Sequence, residues 1–85
     1  MLDDASIILS RYEIARIVGI RAMQLEEGAQ PFVSVLENDS SLKIAARELW
    51  ERRLNVAVKR GDLYFYVRDA RFPKDLEVMI NTLED

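Results

Sequence analysis

Hydrophobic positions along the chain change period from one segment to the next, and each period predicts an element. Ser10-Arg11-Tyr12-Glu13 opens the first as a capping box: the Ser10 hydroxyl can accept from the Glu13 amide, and the Glu13 carboxylate can reach back to the Ser10 amide. Leu9 before the cap and Ile14 after it add a hydrophobic staple. The helix runs to about Glu27, where Gly28 supplies a stop that tolerates positive φ. On a helical projection Ile14, Val18, Ala22 and Leu25 form one apolar stripe, Ala15 and Gly19 continue it as small residues, and Tyr12 and Met23 close its far edge. Ile17 and Ile20 fall on the opposite, mostly polar side beside Glu13, Arg16 and Gln24. They are either ordinary exposed apolar residues, or are covered by the C-terminal segment, or are apolar surface beyond what one small core can cover.

Pro31 and the extended apolar run Phe32–Leu36 make a connection, and Glu37-Asn38-Asp39-Ser40 is turn chemistry in which Asp39 or Ser40 caps a second helix. That helix is expected from about Ser41 to Arg53, with Leu42, Ala45, Ala46, Leu49 and the stem of Arg53 on one stripe. Leu54–Arg60 and Leu63–Val67 then read as a hairpin joined by Gly61-Asp62. Pairing Arg60 with Leu63, Val58 with Phe65 and Val56 with Val67 puts the inner residues on one face and Lys59, Tyr64 and Tyr66 on the other. Arg68 to Phe72 is expected as a loop. Pro73 suits a helix start, and Leu76, Met79, Ile80 and Leu83 have the spacing of a short final helix. The fold class is mainly α with a small β-hairpin (α+β).

Composition bounds what such a fold does. The chain has 85 residues, enough for one domain, and such a domain buries roughly 60–65% of the surface its unfolded chain exposes. Neither Cys nor His is present, which removes disulfides, thiolate metal sites, the commonest zinc ligand and the commonest general base. Carboxylate, Lys, Tyr or Ser chemistry remains open to an enzyme, but nothing groups such residues into a site. The net charge of −3 argues against a protein that coats phosphate backbones. With Asp3 and Asp4 ahead of the short trio Ile7-Ile8-Leu9, and no stretch near ~20 apolar residues, the chain is expected to be soluble and intracellular. Tyr64 and Tyr66 beside Lys59 have the makings of a base-stacking surface, though a solvated or partner-packed face fits the acidic charge better. Arg52, Arg53, Lys59 and Arg60 form a local basic cluster whose default is a solvated face. Trp50 is expected at a core edge.

The order of residues in the first helix carries a resemblance. Ser10, Tyr12, Glu13, Ala15, Arg16, Gly19, Arg21, Ala22, Gln24, Gly28 and Ala29 match in sequence the signature of the RNA polymerase omega family, with archaeal subunit K and the eukaryotic sixth common subunit most alike. Ser41-Leu-Lys-Ile-Ala-Ala-Arg-Glu-Leu49 resembles that family's Pro-Leu-x-Ile-Ala-x-x-Glu-Leu, and Leu54–Arg60 its next strand. Asn55 replaces a usual proline, Lys59 an arginine, and Gly61-Asp62 a longer turn. The bacterial alarmone motif and the eukaryotic acidic tail have no counterpart, and the chain after Val67 matches nothing in the family.

The resemblance implies an omega-like two-helix core followed by a hairpin, while the short terminal helix rests on spacing alone. The chain is thus expected to divide into a loose acidic lead-in at 1–9, an omega/subunit-K-like domain at 10–67 and a C-terminal extension with the short helix at 68–85. The resemblance also implies a non-catalytic polymerase subunit without cofactor or metal, which clasps the largest subunit and promotes its folding and assembly. Partners would be that subunit and the polymerase core, with DNA met only through the complex and no membrane. The location would be the cytoplasm (of an archaeon or a cytoplasmic virus) or a eukaryotic nucleus. Partner-binding residues would be Tyr12, Ala15, Arg16, Gly19, Ile20, Arg21, Ala22, Gln24, Gly28 and Ala29, with Ser10 and Glu13 capping. A free-standing helical adaptor accounts equally well for the composition, but not for the ordered signature.

Overall fold

The computed structural model describes residues 6–76. Two helices and one antiparallel hairpin enclose a single apolar cluster. The first helix, α1 (Arg11–Glu26), starts on the capping box: Ser10 Oγ accepts from the Glu13 amide at 3.1 Å and the Ser10 amide donates to Glu13 Oε1 at 2.8 Å. Leu9 and Ile14 are both buried, as a staple requires. At the far end Gly28 takes φ +100°. Its amide donates to Leu25 O and that of Ala29 to Gln24 O, which satisfies two of the helix's last carbonyls.

Helix α2 (Ser41–Trp50) is capped by Ser40, whose hydroxyl accepts from the Lys43 amide. Asp39 instead accepts from the Leu36 amide and from Arg47, both at 2.8 Å. The helix was expected to reach Arg53 and stops at Trp50, because Arg52 takes φ +57°. Arg52 N donates to Leu49 O and Arg53 N to Glu48 O, the same closure that α1 makes with glycine. A left-handed non-glycine residue costs about 1–2 kcal/mol. The Arg52 guanidinium offsets this by donating to Arg68 O and Ala70 O and lying 4.1 Å over the Phe72 ring. The buried stripe of α2 is also rotated from the expected one. Ile44 and Glu48 face inward with Ala45, Ala46 and Leu49, while Leu42 sits at the solvent boundary.

The strands β1 (Ala57–Arg60) and β2 (Leu63–Tyr66) pair in the expected register, and Gly61 at φ +63° forms the first corner of their two-residue turn. Phe65 and the adjoining Val67 are buried, whereas their opposite numbers Val58 and Val56 are only partly covered. The hairpin therefore sits with β2 over the core and β1 overhanging it.

Two segments depart from their expected looseness. Ile7 and Leu9 join the core, and the Ile7–Leu9 stretch runs parallel beside Arg71, with Arg71 N donating to Ile7 O and Leu9 N to Arg71 O. Residues expected as a loop after β2 form a 3₁₀ turn, Val67–Asp69, followed by this bridge. Ala70 and Leu76 are buried in the same cluster, and Arg11 pairs with Asp75. Trp50 is half exposed and stacks on Phe72 at 6.2 Å. Of the expected final helix, Met79, Ile80 and Leu83 lie outside the described residues.

Candidate partner-binding groove

Helix α1 has more apolar surface than the core uses. One arc, Ile14, Val18 and Ala22, packs inward. Ile17, expected on the outward side, is buried as well, belonging to the core cluster and to the floor of the groove. Farther round, a groove of about 730 Å³ opens between α1 and residues 54–60. Tyr12, Arg16, Ile20 and Gln24 line its helical wall, Leu54, Val56 and Val58 its opposite wall, and Lys59 and Arg60 its rim. Tyr12 is 71% exposed and Ile20 47%, which leaves large apolar surface open to solvent.

The sequence-expected partner residues thus divide. Tyr12, Arg16, Ile20 and Gln24 come together in the groove, with the Arg16 guanidinium donating to the Tyr12 hydroxyl at 3.2 Å. Ala15 and Gly19 are exposed outside the groove, on the flank of the helix beyond Tyr12, and a Cβ built on Gly19 would meet nothing within 4 Å. Gly28 and Ala29 close the helix end. Ala22 lies in the core, and Arg21, which also borders the groove, makes its bonds within the chain.

Arg21 Nε donates to Glu48 Oε1 at 2.6 Å and Nη2 to Glu48 Oε2 at 3.2 Å, the forked geometry that guanidinium and carboxylate favour. Nη2 also donates to Gln30 O, Nη1 to the Gln24 side chain, and the guanidinium lies 4.5 Å over the Phe32 ring. The Glu48 side chain is 0% exposed and takes a further bond from the Phe32 amide at 2.8 Å. This pair ties α1, α2 and the connection between them. Helical projection alone reads Glu48 as a surface residue. The available signal was that Arg21 and Glu48 each sit in one of the two matched motifs.

At the groove's mouth Glu13 has two tasks. It caps α1 and accepts from Arg60 Nη2 at 2.6 Å and Nε at 3.1 Å, while Arg60 also reaches Ile8 O. The Arg60 hydrogen bond holds the Glu13 carboxyl below its ordinary range, against the opposing effect of burial, and Ser10 assists. Arg47 and the Leu36 amide lower Asp39 in the same way. Unfolded carboxyls titrate near about 4.3 for Glu and 3.9 for Asp. A lowered folded value means that stability is fully present above that range and is lost as pH falls through it and through the folded values. Urea denaturation between neutral pH and pH ~3 should show this loss, and a Glu13→Gln, Asp39→Asn variant should show a flatter dependence. Equal slopes would mean that neither pair contributes.

The basic cluster of the sequence disperses. Arg52 is spent on carbonyls and Arg60 on Glu13, and the Lys59 ammonium lies 5.6 Å over Tyr64. Arg68 lies 5.1 Å over Tyr66. Among the described residues no group of three His, Cys, Asp or Glu side chains is placed to hold a metal ion, and no helix is long and apolar enough to cross a membrane.

Comparison with known proteins adds a family. The model described as RNA polymerase Rpb6 matches residues 5–56, which include all of α1 and α2. DNA-directed RNA polymerase subunit Rpo6 of Methanothermobacter thermautotrophicus is 39% identical over 56 residues, covering 66% of this chain and 92% of that protein. The Rpo6 subunit of Sulfolobus acidocaldarius is 43% identical over 54 residues, 61% of either chain. Subunit RPABC2 of DNA-directed RNA polymerases I, II, and III from Saccharomyces cerevisiae is 34% identical over 64 residues, covering 75% of this chain but 38% of that protein.

Proposed function

The chain belongs to the RNA polymerase Rpb6 family, and from that premise we propose that it is a non-catalytic subunit of a DNA-dependent RNA polymerase. In this reading it clasps the largest subunit and promotes that subunit's folding and assembly. Its relatives carry the names of polymerase subunits from archaea and eukaryotes. The enzyme's own location, cytoplasm or nucleus, would then be its location.

The observation that carries the reading is the division of α1 within the matched segment. One face builds the domain's core, while Tyr12, Arg16, Ile20 and Gln24 border an open groove and Ala15 and Gly19 stand clear on the flank beyond Tyr12. A small domain that leaves this much helix uncovered has surface to give to a partner.

Affinity purification is the direct test. The largest polymerase subunit should elute with this chain in near-equal stoichiometry, and a free-standing adaptor would be missing from that peak. Gly19→Leu separates fold from assembly. The added side chain enters open space, and leucine is better than glycine in a helix by roughly 0.8 kcal/mol, so the isolated domain should hold or gain stability. Recovery of the largest subunit should fall. Unchanged recovery would remove the outward face of α1 from the interface.

A further inference from the structure

We propose that the groove receives an extended acidic and apolar segment of the partner as a third strand, added to the free edge of β1. This rests on the polymerase-subunit reading and specifies how that partner is held.

The hairpin's hydrogen-bond phase exposes the edge. Val67 N donates to Val56 O at 2.9 Å, and Val58 faces Phe65 while Arg60 faces Leu63. In an antiparallel ladder these alternate residues spend their amides and carbonyls on the neighbouring strand. Ala57 and Lys59, the residues between them, turn theirs to the opposite side. No β2 residue lines the groove, whereas every β1 residue does, so the edge that is unpaired among the described residues opens onto it. Exposed edges are normally blunted or covered, because they template further pairing. This one adjoins a cleft within the roughly 300–1,000 Å³ typical of binding sites. Its four residues offer about 13 Å of strand.

Side-chain chemistry defines the occupant. Ile17, Ile20, Val56 and Val58 give an apolar floor, and Arg16 and Lys59 stand on its two sides. The acid of this region, Glu13, is held by Arg60 and Ser10. A strand laid here would direct alternate side chains to the floor and to the cations, which selects apolar residues interleaved with Asp or Glu. A helical segment would leave the Ala57 and Lys59 amides unpaired. Strand addition satisfies them, as in other edge-recognition complexes.

The test compares the subunit free and bound to purified largest subunit. Amide exchange at Ala57 and Lys59 should slow by about tenfold or more on binding. Tyr64 and Tyr66, whose amides face the hairpin's other edge, should not change. Ala57→Pro removes an edge donor and leaves every bond to β2 in place, since proline is tolerated on edge strands. It should weaken binding by about tenfold or more, with thermal unfolding close to wild type. Arg16→Glu with Lys59→Glu should weaken binding further. Bound wild-type subunit with unprotected Ala57 and Lys59 amides overturns the proposal, whatever the variants do. Failure of the wild type to bind at all instead removes the polymerase reading, and this inference with it.

Discussion

Arg21→Ala should destabilise the isolated domain by about 3–5 kcal/mol, the usual cost of removing one partner of a buried ion pair. A domain of this length has roughly 4–13 kcal/mol in total, so the variant loses a large share of its stability and unfolds at room temperature if the wild type lies at the low end of that range. The reason is the position of Glu48. Its side chain has no exposed surface, and after the substitution the Phe32 amide is the remaining donor among its described bonds. An unpaired carboxylate there must either stay charged in an apolar setting or take up a proton. The change also frees the Gln30 carbonyl and uncovers Phe32, loosening the connection between the helices.

Replacing both members distinguishes the two sources of the loss. Arg21→Met with Glu48→Leu removes both charges and leaves the part-buried Phe32 amide and Gln30 carbonyl without these partners. The double variant should recover most of the stability lost by Arg21→Ala. Urea denaturation of both single variants and the double variant measures this as a coupling energy. A loss below about 1 kcal/mol for Arg21→Ala would class the pair with exposed ion pairs.

Local signals were the readable part of this chain. The capping box at Ser10, the stop at Gly28 and the hairpin register each depend on residues close in sequence, and the structure has all three. Long-range pairings were not readable. Glu48 is buried with Arg21 meeting it from another helix, and Ile17 is buried in a cluster drawn from residues distant in sequence. The Ile8–Arg71 bridge joins opposite ends of the described chain and has no local mark. Helix α2 stops at Trp50 without a glycine, since carbonyls near residue 70 reward the left-handed turn at Arg52. The site followed the same division. Tyr12, Arg16, Ile20 and Gln24 were singled out by the resemblance and not by their pattern alone, and the wall they face was not readable, because β1 comes to them only through the tertiary fold.

That wall depends on one side chain, which sets the second large effect. Phe65→Ala should cost about 3–5 kcal/mol. Phe65 is the largest of the fully buried side chains, and it shares one cluster with Leu9, Ile14, Leu49 and Leu54. Its strand neighbour Tyr64 points outward at 65% exposure, so Tyr64→Ala should stay within roughly 0.5 kcal/mol of wild type. The contrast between adjacent positions tests the register itself, since a slip of one residue would exchange the two effects. Phe65→Leu should fall between them, because leucine refills part of the cavity. Arg60 lies 5.2 Å over the Phe65 ring and carries the bond to Glu13, so losing the ring also disturbs the tie between the hairpin and the start of α1. Equal costs for Phe65→Ala and Tyr64→Ala would mean that the hairpin is not anchored on the core. The groove's second wall would then be held by Val58, Leu54 and the Arg60–Glu13 pair without the anchor that β2 supplies.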